Sequence, residues 1–165
     1  MAFPFRGVNC ALQLIITILE FIALDFLCFE VIYTHCVLGG EYGASVFLQL
    51  YLLPAIFFQS LILALFRVCC GTVGLDPIAV IFNLSSGIIC TITSIMLLIA
   101  MIGHCGNDKA YRFYTTGICG LIAGVLHLIN AIVCNIYMPR GEEYHLKPSK
   151  TSRYHKTRAA ALGIV

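Results

Sequence analysis

The sequence predicts an all-α, polytopic membrane protein: an antiparallel bundle of four transmembrane helices with both termini in the cytoplasm. Three observations lead there. Hydrophobic residues make up 60% of the 165 residues and charged ones only 11%, whereas soluble globular chains carry about 25% charge. Four apolar stretches, near 10–34, 44–66, 77–102 and 115–137, each reach the roughly 20 residues needed to cross a hydrocarbon layer about 30 Å thick. The links between them are short, so consecutive helices are expected to be antiparallel neighbours in up-down-up-down order.

Residues 1–9 form a short tip that holds Arg6. The first apolar stretch is too long for a secretory signal and no small-residue cleavage pattern follows it, so it reads as a retained helix. The second carries Pro54 near its middle, where a lost backbone donor and a ring clash are expected to kink it. The third opens at Asp76 and Pro77. In the fourth, Gly120, Gly124, His127 and Ala131 recur at intervals of four, three and four, which places small residues and the histidine on one helix-packing stripe. Pro139 and Gly141 then stop the helix, and residues 138–165 form a basic tail.

Orientation follows from Lys and Arg near the helix ends. Arg6, Arg67 and the tail's Arg140, Lys147, Lys150, Arg153, Lys156 and Arg158 share one side, against Lys109 and Arg112 on the other. The expectation is N-in, C-in. Six basic residues against two acidic ones give the tail a charge of +4. Such a segment is attracted to the anionic inner leaflet by about 1 kcal/mol per basic residue, or serves as a solvated tail that only fixes topology.

The first stretch contains Glu20, Asp25 and Glu30 with no basic residue to pair them. An acid at the centre of a membrane helix costs about 2.5–3.5 kcal/mol, so such residues are expected to face a protein interior, a cavity or a partner. Glu20 and Asp25 lie about 140° apart around the helix, so one neighbour cannot serve both. Gln59, Asn83, Ser86, His127 and Asn130 are the residues expected to meet them in an intramembrane polar layer. The layer reads either as a proton or cation path or as a clasp between helices at roughly 0.6–2 kcal/mol per contact. The clasp is preferred, since four short helices leave little room for a gated path.

Nine cysteines divide by position. Cys10, Cys69, Cys70 and Cys134 fall near the cytoplasmic helix ends, where thiols are candidates for S-acylation. Cys36 and Cys105 fall in the two outer links, where oxidising conditions permit a disulfide, with Cys119 as another partner. Metal-ligand spacing, a phosphate-binding glycine loop and a nucleophile elbow are all missing, and the tail has too little structure to argue for nucleic acid. No cofactor is expected and the chain does not read as an enzyme.

The stretch Leu75-Asp76-Pro77 running into Phe82-Asn83-Leu84-Ser85-Ser86-Gly87 resembles the MARVEL-domain pattern of an acid entering the third helix followed by a small, polar face. Glu20-Phe21 in an apolar first helix, and Tyr111 to Tyr114 before a small-residue fourth helix, also resemble that family. The resemblance covers about residues 6–138; it departs from the pattern at Pro77 and in the additional acids Asp25 and Glu30. It implies a four-helix, N-in, C-in protein of vesicle, junction or plasma membranes that organises membrane through lipids and other transmembrane proteins, a second copy among them. The competing expectation is a channel, transporter or auxiliary subunit that uses Glu20 or Asp25.

Overall fold

In the computed structural model the described residues are 5–29, 43–69, 76–102 and 110–138. They form four helices, α1 (Phe5–Cys28), α2 (Gly43–Cys69), α3 (Asp76–Ile102) and α4 (Ala110–Tyr137), with no strand among them. Helices of 24 to 28 residues extend about 36–42 Å at 1.5 Å per residue. All four are long and apolar enough to cross a membrane.

The helix bounds differ from the apolar-run reading chiefly in α1, which begins at Phe5 rather than near residue 10. An apolar run ends where polar side chains begin, but a helix continues as long as those side chains can be buried, and Asn9 and Gln13 are completely buried. α4 likewise begins at Ala110 rather than 115. α2 runs unbroken through Pro54. Pro77 occupies the first turn of α3, where its missing N–H costs nothing.

The helices pack as a four-membered ring in chain order, with α3·α4 the most extensive joint, α1·α4 next, and α2 held more lightly by α1 and α3. Buried positions recur at alternating intervals of three and four: 9, 13, 16, 20, 23 and 27 on α1; 46, 49, 53, 56, 60 and 63 on α2; 113, 117, 120, 124, 127, 131 and 134 on α4. A period of 3.5 residues is the seam of left-handed helix packing. The outward faces are mostly Ile, Leu, Phe and Val, among them Ile18, Phe58, Ile92, Ile99 and Ile132. Among the described residues fifteen polar or charged ones are buried, and an outside more apolar than the inside is the arrangement for lipid, where polar contacts and small residues join helices.

The α3·α4 joint depends on glycine. A Cβ on Gly124 would lie 2.9 Å from the backbone nitrogen of Thr91, and one on Gly87 3.1 Å from the carbonyl oxygen of Gly124. Backbone cannot yield as a side chain does. Gly124→Ala is expected to lose about 1–3 kcal/mol through overpacking, measured by denaturant unfolding in detergent. Gly7→Ala, with nothing within 4 Å of the new methyl, should cost nothing; equal losses at both positions would contradict this account of the joint.

Candidate functional site

The α1 seam carries Asn9, Gln13 and Glu20 on one buried face, and the glycine contact brings α4 close enough to α3 for His127 to reach both neighbours. His127 Nδ1 lies 2.6 Å from Asn83 Oδ1 and Nε2 lies 2.8 Å from Glu20 Oε1. All three side chains have no exposed surface. Phe82 meets the imidazole edge-on at 5.8 Å between ring centres.

Hydrogen-bond directions follow from Asn83. Its Nδ2 donates to the Ala79 carbonyl at 2.8 Å, so Oδ1 is the atom left to face His127, and it accepts from Nδ1–H. One hydrogen must then lie between Nε2 and Glu20 Oε1. Either a carboxylic acid donates to a neutral imidazole, or an imidazolium donates to a carboxylate. In both descriptions the pair is neutral as a whole and shares one proton.

Toward the N-terminal end of α1, Asn130 Nδ2 donates to Gln13 Oε1 at 3.0 Å, and Thr17 Oγ1 donates to the Gln13 carbonyl at 2.8 Å. At that end Asp76 lies 3.6 Å from Arg6 Nε and 3.7 Å from Arg67 Nη2. This joins the start of α1, the end of α2 and the start of α3. On the other side of Glu20, Gln49 Nε2 donates to Ser94 Oγ at 3.5 Å, Cys90 Sγ donates to the Gly120 carbonyl, and Thr116 Oγ1 donates to the Ala23 carbonyl.

The polar layer expected from the sequence is therefore divided. Glu20, Asn83 and His127 meet; Ser86 is buried close by on α3, and Asn130 pairs with Gln13 instead. Asp25 and Gln59 are corrections to that layer, because both are exposed on outward faces. Asp25 is five residues from Glu20 and so falls off the three-and-four seam; Gln59 stands one residue before the seam position, which Ser60 occupies. With α1 shifted toward its N-terminus, Asp25 also lies about 13 Å from the helix midpoint. Gly120, Gly124 and Ala131 are buried beside His127.

Asn9, Gln13, Gln49, Ser60 and Ser94 were not anticipated as members of the interior, nor was the ion pairing of Arg6 and Arg67. Continuing the seam register from Glu20 back to Gln13 and Asn9 would have found two of them. Of the thiols, Cys69 is exposed and Cys10 half-buried. Cys134 is a correction as an acylation candidate: it is fully buried, 3.9 Å from Arg67 Nη2 and 3.6 Å from the Asp76 carbonyl. Cys36, Cys70, Cys105 and the tail residues Lys147, Lys150, Arg153, Lys156 and Arg158 lie outside the described residues. Cys119 is half-buried, more than two turns inside α4. Among the described residues no His, Cys, Asp and Glu cluster could hold a metal.

Fold and site together define a class, a bundle of four helices each long and apolar enough to cross a membrane, with a polar interior seam. No family model, curated protein or solved structure matches the chain.

Two outcomes test the site. In a double-mutant cycle, Glu20→Ala and His127→Ala should couple by about 0.6–2 kcal/mol; zero coupling would mean that the contact does not hold α1 to α4. Arg67, 4% exposed, should matter more to stability than Arg6, 45% exposed. Arg67→Met should cost about 3–5 kcal/mol, as for a broken buried pair, and Arg6→Met about 1 kcal/mol or less, both read from unfolding midpoints.

Proposed function

We propose that the chain is a non-enzymatic, membrane-organising protein of the MARVEL kind, acting by lateral association with lipids and other transmembrane proteins. The observation that carries this reading is a closed interior. One oxygen of the buried carboxylate is engaged in a hydrogen-bonded triad, and α3 and α4 touch backbone to backbone beside it. What remains for interaction is the outer surface, an apolar coat of Ile, Leu and Phe. That coat favours lipids and helices that match it, by fractions of a kcal/mol per Å of thickness mismatch. The resemblance in residues 75–87 supports the same reading.

Both termini are cytoplasmic in this proposal, and the basic tail lies against the anionic inner leaflet. The membranes in view are plasma membrane, cell junction and vesicle. Cys69, exposed at the end of α2 beside an apolar groove of Ile62, Leu65 and Phe66, is the described thiol best placed for acylation. Cys69→Ser should lower acyl-exchange labelling of the protein, and Cys134→Ser should not.

One observation favours a second reading, as an auxiliary subunit. Asp25 presents a carboxylate on the outward face of α1, close to Phe21 in sequence and exposed like it, where a partner helix's Lys or Arg would meet it. Reconstitution separates the readings. Proteoliposomes of the full chain should show no more proton or cation flux than empty vesicles. A current abolished by Glu20→Gln or Asp25→Asn would replace the organiser with a channel. Loss of a captured partner on Asp25→Asn, with no flux, would favour the auxiliary subunit.

A further inference from the structure

The polar side chains on the outward faces differ in how their polar groups are met. Ser85 on α3 donates to the Phe82 carbonyl of its own helix, and Thr115 on α4 donates to the Tyr111 carbonyl. Asp25 and Asn135 stand toward the ends of their helices. Gln59 is exposed only three residues, or about 4.5 Å, from the midpoint of α2, and its amide has no hydrogen-bond partner among the described residues. The hydrocarbon at that depth holds no water to satisfy it. Gln59 also belongs to a register. Leu48, Leu52, Ala55, Gln59 and Ile62 follow at intervals of four, three, four and three, each one residue before a member of the buried α2 seam. They therefore lie about 100° round the helix from that seam. Leu52 is half-buried and the other four are exposed. Phe57 meets Phe21 of α1 at 5.8 Å between ring centres, so α1 occupies the opposite flank. A period of 3.5 residues is a helix-packing pattern, and Ala55, one turn from Gln59, is the small residue that admits a neighbouring backbone. α2 thus has a second seam outside its own bundle.

We propose that the outer seam of α2 binds a second copy of this chain, α2 against α2, with the two Gln59 amides hydrogen-bonded to each other near the bilayer midplane. Two arguments select a second copy. All copies in one membrane take the orientation that their basic residues set, so two α2 helices related by a two-fold axis along the membrane normal run parallel and meet position to position. Gln59 then stands at the same depth in both, whereas a different protein would need a polar side chain of its own at that depth. The carboxamide is also self-complementary, because it carries N–H donors and a carbonyl acceptor and each copy can donate to the other. An outward carboxylate such as Asp25 would instead meet a like charge in its own copy. The inference deepens the organiser reading by naming one transmembrane partner, and it rests on that reading for the chain's place in lipid.

The test is energy transfer between donor-labelled and acceptor-labelled full-length chains in liposomes, followed over a range of protein-to-lipid ratios. The wild-type chain should associate as a dimer. Gln59→Leu should weaken association by about threefold to thirtyfold, as for an interhelical hydrogen bond in lipid. Ala55→Ile, which sets a branched side chain in the seam, should weaken it as well. Ile99→Phe, on the outward face of α3, should leave it unchanged. All three variants should keep the wild-type unfolding midpoint in detergent that holds the chain monomeric; a lower midpoint in Gln59→Leu would place that side chain inside its own bundle and overturn the proposal. A chain that stays monomeric at every ratio, or association equal in Gln59→Leu and wild type, overturns it too. A monomeric chain that captures a different membrane protein through Gln59 assigns the seam to that partner instead of a second copy. Ion flux with dimerisation intact would end the organiser reading and leave the dimer standing, and loss of the dimer without flux would do the reverse.

Discussion

The close approach of α3 and α4 at Gly87 and Gly124 is the constraint on which the rest of the bundle depends. With a side chain at either position the two backbones could not come within van der Waals contact. The approach places His127 opposite Asn83 at 2.6 Å, and Asn83 then sets the imidazole so that its other nitrogen points across to Glu20 on α1. The third helix joint is thus built on the first. α2 enters this arrangement last, through Gln49, Ser94 and the apolar layer, which agrees with its lighter packing.

A bundle whose described residues include fifteen buried polar or charged ones beneath an outer coat of large apolar side chains inverts the usual preference of soluble proteins. In lipid no hydrophobic force draws helices together, so shape and hydrogen bonds between helices carry the specificity. The cost of an acid in that setting, about 2.5–3.5 kcal/mol at a helix centre, is offset here by a neutral pair that shares its proton. Asp76 is treated differently, with two guanidiniums near the helix ends. The two acids thus show two ways of keeping a carboxyl inside a protein: neutralisation by proton sharing and neutralisation by counter-charge.

Legibility varied by kind of information. The number of helices and their approximate extents could be read because each apolar run is long and its ends are marked by charge, Pro or Gly. The seam on α4 could be read because small residues are conspicuous at intervals of four, three and four. Seams on α1 and α2 were harder, since their buried faces mix large apolar residues with polar ones such as Asn9, Gln13, Gln49 and Ser60 and carry no stripe of small residues to mark them. Asp25 and Gln59 drew attention as polar residues in apolar runs, yet each falls off the register, while Asn9, Gln13 and Ser60 fall on it.

By itself, then, the sequence determined that this is a four-helix, apolar chain whose Glu20, Asn83 and His127 need partners, because hydropathy and the cost of burying polar groups are properties of single segments. Only the tertiary structure decided which partners those are. A difference of one residue turns a side chain by about 100° around a helix, and that separates Ser60 inside from Gln59 outside. The glycines that bring α3 and α4 together act between segments far apart in the chain, and so does the proton shared by Glu20 and His127.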